Sequence, residues 1–349
     1  MLALRYYQPG KVEIEEIPCP QIMPGEVLVK VSACGVCATD IKTYLRGHPK
    51  IKPGTVLGHE ISGVIVEANQ AADWQPGLRV AVAPYVPCFQ CDQCQRGNFT
   101  QCDHLMDVLT DPGGFSEFVR VPAHIVKHGL VVLPDELSLV EATLAEPLAC
   151  CIHGLEALKV SSLDRVLIIG DGPMGLLQAE AARAMNVRQI IVVGKTPARL
   201  ERAAKTADVV IHAGEMDVAA AVQAAAPGGA DKVLISVGSA EVAQTAFQYV
   251  HKGGMVNLFA GLPKDAVLTV DPGQIHYDEV GFIGTFGFAP AHFKKAIEWL
   301  AQKRIHTEGI ITATVPLSDA RAAIRDVAEY RGIKSVITFS EKEELISIP

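Results

Sequence analysis

Arg165-Val166-Leu167-Ile168-Ile169-Gly170-Asp171-Gly172-Pro173-Met174-Gly175 decides the fold. A short apolar run rich in β-branched residues reads as a buried strand, and a helical run near Met174 to Met185 follows it. Between them lies Gly-x-Gly-x-x-Gly. Glycines in such a turn permit a tight reversal, let backbone N–H groups approach a pyrophosphate, and allow close helix–sheet packing. Alone the motif is weak and fits a plain turn equally well; its seat between strand and helix gives it weight.

The same rhythm continues downstream. Strand-like Ile190–Val193, Asp208–Ile211, Lys232–Ile235 and Met255–Phe259 alternate with helical runs at Pro197–Ala204, Glu215–Ala225 and Ala240–Val250. Alternation of this kind predicts parallel βαβ units with both sheet faces covered. Upstream, Val27–Val31, Gly63–Val66 and Arg79–Val82 are short runs broken by Gly and Pro, which predicts a mostly antiparallel β-rich body to about Leu133. A helix at Ala291–Leu300 and strands at Ile310–Val315 and Lys334–Phe339 complete the reading, with the tail free to return to the first body. The expected class is α/β, with a β-rich domain over residues 1–152 and 285–349 and a doubly wound parallel-sheet domain over 153–284.

Composition agrees with two ordinary globular cores: 349 residues, 49% hydrophobic and 20% charged. The net charge is −8, from 31 Lys and Arg against 39 Asp and Glu, which argues against nucleic acid or an anionic membrane as partner. Residues Met1 to Pro18 lack a leader pattern, and no run reaches the roughly 18 apolar residues of a membrane helix, so the expected location is cytoplasmic. Nine cysteines, clustered in short windows, suit metal thiolates better than a disulfide framework.

Cys88, Cys91, Cys94 and Cys102 form Cys-x2-Cys-x2-Cys-x7-Cys, whose four thiolates can close a tetrahedral shell around a structural zinc; an iron–sulfur cluster is the rival. Cys37, His59, Glu60 and Glu146 are a second, dispersed set of the mixed donors that a catalytic zinc takes. By spacing alone that set is weak, and Cys34 with Cys37 also fits a redox pair.

These residues together resemble the zinc-dependent medium-chain dehydrogenase/reductase family of alcohol, polyol and threonine dehydrogenases. The resemblance spans nearly the whole chain. Its carriers are Gly35-Val36-Cys37-Ala38-Thr39-Asp40, Gly58-His59-Glu60 with Gly63, the four-cysteine loop, Gly113-Gly114-Phe115-Ser116-Glu117, Glu146-Pro147-Leu148, the glycine turn, and Lys252-Gly253-Gly254. Glu146-Pro147-Leu148 with Ile152-His153 is similar to the polyol branch. The resemblance implies a GroES-like catalytic domain, a Rossmann domain and an active site in the cleft between them. It implies two zinc ions per chain, the catalytic one held by Cys37, His59 and either Glu60 or Glu146, with Asp40 orienting His59. Thr39 is the implied proton acceptor, and Cys150 and Cys151 read as buried thiols.

The implied reaction is oxidation of a secondary alcohol of a polyol, cyclitol or sugar to its ketone, by a homodimer or homotetramer. A regulatory NADPH-binding protein without turnover and a quinone or enone reductase are the alternatives. Three positions depart from the family pattern. Asn69 replaces a glycine, which suits a left-handed backbone; Lys42 stands at the place of a proton-relay histidine; and Gly287-Phe288 replaces an Arg-aromatic pair, which puts sorbitol itself in question.

The cofactor contacts expected are Gly170, Gly172, Pro173, Met174 and Gly175, then Gly194, Lys195, Thr196 and Arg199. An NAD-type site carries an acid about 20 residues after the glycine turn. Here Gly194-Lys195-Thr196 contains none; Gly194 clears space and the others can meet a phosphate, so NADP(H) is expected over NAD(H).

Overall fold

A computed structural model describes residues 1–71 and 73–339. The chain divides into two compact units: Met1–Gly97 with Gln101–Glu146 and the stretch from Ile311, and Asn98–Thr100 with Pro147–Ile310.

In the first unit, β1 (Leu2–Gln8) and β2 (Lys11–Glu16) form an antiparallel hairpin turning at Gly10, whose φ of +76° suits glycine. The strands β3 (Val27–Gly35), β4 (Thr55–Val56), β5 (Glu60–Ala68), β6 (Arg79–Val82), β7 (Phe118–Val121) and β8 (Leu130–Val132) follow. β4 joins the hairpin. β3 pairs with β5 and β7, and β6 lies between β5 and β8, all antiparallel. Val27, Val29 and Val31 point into the core with no exposure. The sequence reading missed the hairpin and the helix Ala38–Arg46 that succeeds β3, because each apolar repeat is short: Val12 and Ile14 in β2, and Ile41, Tyr44 and Leu45 in a nine-residue helix.

The second unit has β9 (Arg165–Ile169), β10 (Gln189–Gly194), β11 (Val209–His212), β12 (Ala230–Ile235), β13 (Val250–Leu258) and β14 (Gly281–Gly284). They form one parallel sheet in the order β11-β10-β9-β12-β13-β14. Numbered from β9, that is 3-2-1-4-5-6, the doubly wound order with its switch point between β9 and β12. Leu167 and Ile169 enter one core cluster with Ile191, Val193, Val233 and Ile235, while Val166 and Ile168 are equally buried. Burial on both faces explains the unbroken apolar run. The helix expected over Ala240–Val250 is shorter, Ala240–Thr245 with a 3-10 turn at Ala246–Gln248, and Val250 already opens β13. The helix expected from Glu215 begins at Val218, where the Asp217 side chain accepts from the Ala220 N–H.

The chain then returns to the first unit: β15 (Ile311–Pro316) pairs parallel with β16 (Lys334–Thr338), and β16 pairs antiparallel with β3. Residues 98–100, 147–152 and 285–310, which the sequence reading joins to the first domain, cluster with the second unit. The helix Pro290–Ala301 is tied there by His292 and Lys295 on Glu156, at 3.1 and 2.5 Å. Residues 340–349 of the same expected domain lie outside the described residues.

Candidate metal centres and cofactor crevice

The four loop cysteines bring their sulfurs within 4.8 Å of one another. Cys88 Sγ lies 3.9 Å from Cys94 Sγ, and Cys91 Sγ 3.8 Å from Cys102 Sγ. A tetrahedron with zinc–sulfur bonds of about 2.3 Å has edges of about 3.8 Å, so the donors fit one zinc and stand too close to embrace several irons. Backbone N–H groups of Gln90 and Cys91 donate to Cys88 Sγ at 3.4 and 3.3 Å, and those of Cys88 and His104 to Cys102 Sγ at 3.2 and 3.3 Å. The donors on Cys88 bring its thiol down to about 6, whereas burial pushes Cys94 up to about 12. The loop thus presents an ordered, unequal set of sulfurs that a cation would level.

Cys37, His59 and Glu60 form the second group of donors within 4.8 Å. β3 ends at Gly35, and Cys37 caps the helix Ala38–Arg46. Asp40, buried in the first turn of that helix, accepts from Cys37 N–H at 2.9 Å and from Gly58 N–H at 3.3 Å. It therefore ties both donor-bearing segments together. Its Oδ1 is 3.9 Å from His59 Nδ1, an ionic approach longer than a hydrogen bond. Burial works against a charged His59, but Cys37, Asp40 and Glu146 hold its pKa well above the ordinary value.

Glu60 opens β5 and is 1% exposed. Lys334 of β16, also buried, donates to Glu60 Oε1 at 2.5 Å and to the Val36 carbonyl at 3.1 Å. Burial disfavours that ammonium, yet Glu60, Cys37 and Glu146 together raise its pKa. Sequence reasoning missed Lys334; the signal was a charge opening a strand whose other residues, Ser335 to Thr338, are uncharged. Gly35 makes the pair possible, since a Cβ there would fall 1.9 Å from Glu60 Oε2 and 3.1 Å from Lys334 Cε. Glu146, in the first turn of the helix Ala145–Ala157, is buried and stands outside the three-donor group. Burial pushes its carboxyl up to about 7, with His59 and Lys334 opposing and Glu60 and Asp40 adding.

Thr39 and Lys42 are exposed on the helix after Cys37. Asn69 carries no positive φ; the left-handed residue is its neighbour Gln70, at +52°. Asn69 instead joins backbones, donating its N–H to the Glu26 carbonyl at 3.0 Å and accepting from Gly25 N–H at 2.6 Å. Cys151 is buried and Cys150 half-buried. In the second unit the Gly287 carbonyl binds His153 Nδ1 at 2.9 Å, and Phe288 is buried against Phe293.

The glycine turn joins β9 to the helix Pro173–Ala184 at the switch point. Gly170 has φ +134°, and a Cβ on Gly175 would lie 1.9 Å from the Gly170 carbonyl oxygen, so helix and turn approach as only glycine allows. A Cβ on Gly172 would meet nothing within 4 Å, leaving its face free for a ligand. Pro173 and Met174 start the helix, half-buried. At the end of β10, Lys195 is exposed, Thr196 caps the helix Pro197–Ala203, and Arg199 is buried within it. The space beside Gly194 is not open as the sequence suggests: Asp171 fills it, and a Cβ on Gly194 would sit 2.5 Å from Asp171 Cβ. Glycine turn and strand order together fit a dinucleotide.

Family models match residues 23–135 as an alcohol dehydrogenase GroES-like domain and 173–302 as a zinc-binding dehydrogenase. The chain is 33% identical to L-galactonate-5-dehydrogenase of Escherichia coli K12, over 93% of this chain and 94% of that protein. It is 30% identical to sorbitol dehydrogenase of Bacillus subtilis 168, over 95% and 94%. An NADP-bound zinc-binding dehydrogenase of Sinorhizobium meliloti 1021 superposes with a TM-score of 0.89 at 29% identity, covering 97% of this chain and 98% of that one.

Proposed function

This chain belongs to the zinc-dependent medium-chain dehydrogenase/reductase family, and on that premise we propose that it interconverts a secondary alcohol of a polyol, cyclitol or sugar with its ketone, using a nicotinamide cofactor. The observation that carries this reading is the Cys37, His59 and Glu60 donor group in a chain that also holds a 3-2-1-4-5-6 parallel sheet with a glycine turn. When bound, zinc supplies Lewis-acid polarisation of an alcohol oxygen and the nicotinamide exchanges a hydride.

The first unit is the zinc-binding catalytic part and the second the cofactor-binding part. Cys37, His59 and Glu60 would hold the catalytic zinc, and Cys88, Cys91, Cys94 and Cys102 the structural one. Asp40 fixes the segments bearing Cys37 and His59, and Lys334 fixes Glu60. Glu146, whose carboxyl is raised by burial, is suited to hold or release a proton on its carboxylate oxygen. Thr39 Oγ1 would accept the hydroxyl proton of the substrate while passing its own proton to solvent, to which this residue is exposed. The two donor groups give a zinc-free quinone or enone reductase no support, and the polyol-active relatives favour turnover over a purely regulatory role.

NADP(H) is the preferred cofactor and NAD(H) a usable one: β10 ends in Gly194-Lys195-Thr196 without an acid, and the S. meliloti neighbour is bound to NADP. Edge strand β14, with exposed Phe282, Phe286 and Tyr277 in its vicinity along the chain, supports a homodimer or homotetramer. Free thiols and metal-type cysteine spacing support the cytoplasm; among the described residues no helix is long and apolar enough to cross a membrane. The test is a screen of polyols, cyclitols, sugars and amino alcohols with both cofactors on zinc-loaded protein. Oxidation confined to unbranched monoalcohols or to L-threonine overturns the substrate class.

A further inference from the structure

Asp171 is the second residue of the glycine turn, yet its side chain belongs to the neighbouring strand end. Asp171 Oδ2 accepts from the backbone N–H groups of Lys195 and Thr196 at 2.8 and 2.7 Å. A Cβ on Gly194 would lie 2.5, 2.7 and 2.7 Å from Asp171 Cβ, Cγ and Oδ2. The carboxylate therefore occupies the place that a side chain from β10 would take, and it has consumed the two N–H donors of the loop. Its other oxygen, Oδ1, has no protein hydrogen bond among the described residues.

In a doubly wound fold the end of the second strand meets the adenosine ribose, and the group found there reads the 2′ substituent. A carboxylate accepts a hydrogen bond from a 2′-hydroxyl and repels a 2′-phosphate; free N–H donors and a lysine do the opposite. This chain has both: Lys195 and Thr196 just after β10, and an acid delivered from the glycine turn that follows β9. Resting on the cofactor reading above, we infer that Asp171 is a specificity-determining residue for the 2′ position of the cofactor. It accepts the ribose hydroxyl of NAD(H) through Oδ1 and withholds two N–H donors from the phosphate of NADP(H). Asp171 keeps NAD(H) usable in a loop otherwise built for a phosphate, so the discrimination lies in the glycine turn rather than at Gly194.

The experiment is calorimetric titration of the zinc-loaded full chain with NADPH, NADH, 2′,5′-ADP and 5′-AMP, for the wild type, Asp171→Ala and Asp171→Asn. Asp171→Ala is expected to tighten NADPH and 2′,5′-ADP by about tenfold and to leave NADH and 5′-AMP unchanged or weaker by a few-fold. Asp171→Asn keeps the size of the side chain and an acceptor for the loop. It is expected to shift the NADPH-to-NADH ratio the same way by about threefold or more, which separates loss of charge from collapse of the loop. Ratios unchanged within about twofold in both variants, or moved toward NADH, overturn the inference. A wild type that binds neither dinucleotide overturns the cofactor reading along with it. Binding without alcohol oxidation overturns the substrate reading alone, and the ratios still decide the role of Asp171.

Discussion

In the loop from Cys88 to Cys102 the outermost donors are only fourteen residues apart, and the loop's own backbone N–H groups hold the sulfurs. Cys37, His59 and Glu60 are held by other side chains. Asp40 bridges two segments, and Lys334, 274 positions from Glu60, fixes its carboxylate. Four like donors at tetrahedral spacing close a shell and leave no room for a reactant. Three unlike donors leave room, and they then need supports that stay in place whatever occupies the remaining position. A closed site can be written into one loop; an open one has to be assembled by the fold.

That difference is open to attack by mutation. Cys37→Ser is expected to lower turnover by about a thousandfold or more while the loop keeps its zinc. Turnover together with elemental analysis checks this, and an active variant, or wild type with at most one zinc per fully loaded chain, breaks the comparison. Cys88→Ser opens the closed shell and should cost several kcal/mol of stability, with turnover per folded molecule changed far less. Denaturation with and without a chelator reads it; a stable but inactive variant would give the loop a catalytic part.

In the zinc-free chain Lys334→Met leaves Glu60 buried without a cation, an expected loss of about 3–5 kcal/mol of stability. Glu60→Gln added to Lys334→Met should recover part of that loss, because the orphaned charge is gone; no recovery in the double variant would show that the ion pair is not what Lys334 contributes. The smallest expected effect lies outside both clusters, where Asp231 accepts from Arg165 N–H and Nε at 2.6 and 3.0 Å and meets His251 at 2.6 Å. Burial opposes its charge, but Arg165 outweighs burial and keeps the Asp231 carboxyl below its ordinary value. Its stabilisation is therefore present above the ordinary aspartate pKa and is lost as pH falls through the lower folded-state value. Asp231→Asn should cost about 1 kcal/mol at neutral pH, a gap that closes below about pH 4 in parallel denaturation series.

Local features were legible from sequence. The run Arg165–Ile169 is apolar because both faces of β9 are covered, and the cysteine spacing is visible because the loop contains its own support. What stayed hidden was long-range or sat against local rules. The hairpin β1–β2 offers only a short alternating run, Val12 and Ile14 in β2. The helix Ala38–Arg46 follows directly on a strand, and Lys334 carries a charge inside β16. Gly194 read as empty space because the side chain that fills it, Asp171, comes from the turn after another strand.

Gly35 adds an order of events to this picture. Because a Cβ at position 35 would strike Glu60 Oε2 and sit tight against Lys334 Cε, positions 35 and 60 are expected to be epistatic: a longer residue at 35 needs a shortened residue 60 and a shifted Lys334 side chain. A lineage that abandons this carboxylate can afterwards fill the gap at position 35, and once that gap is filled, restoring glutamate requires position 35 to revert first. Loss of the acid followed by growth at position 35 would thus act as a ratchet in the history of the site.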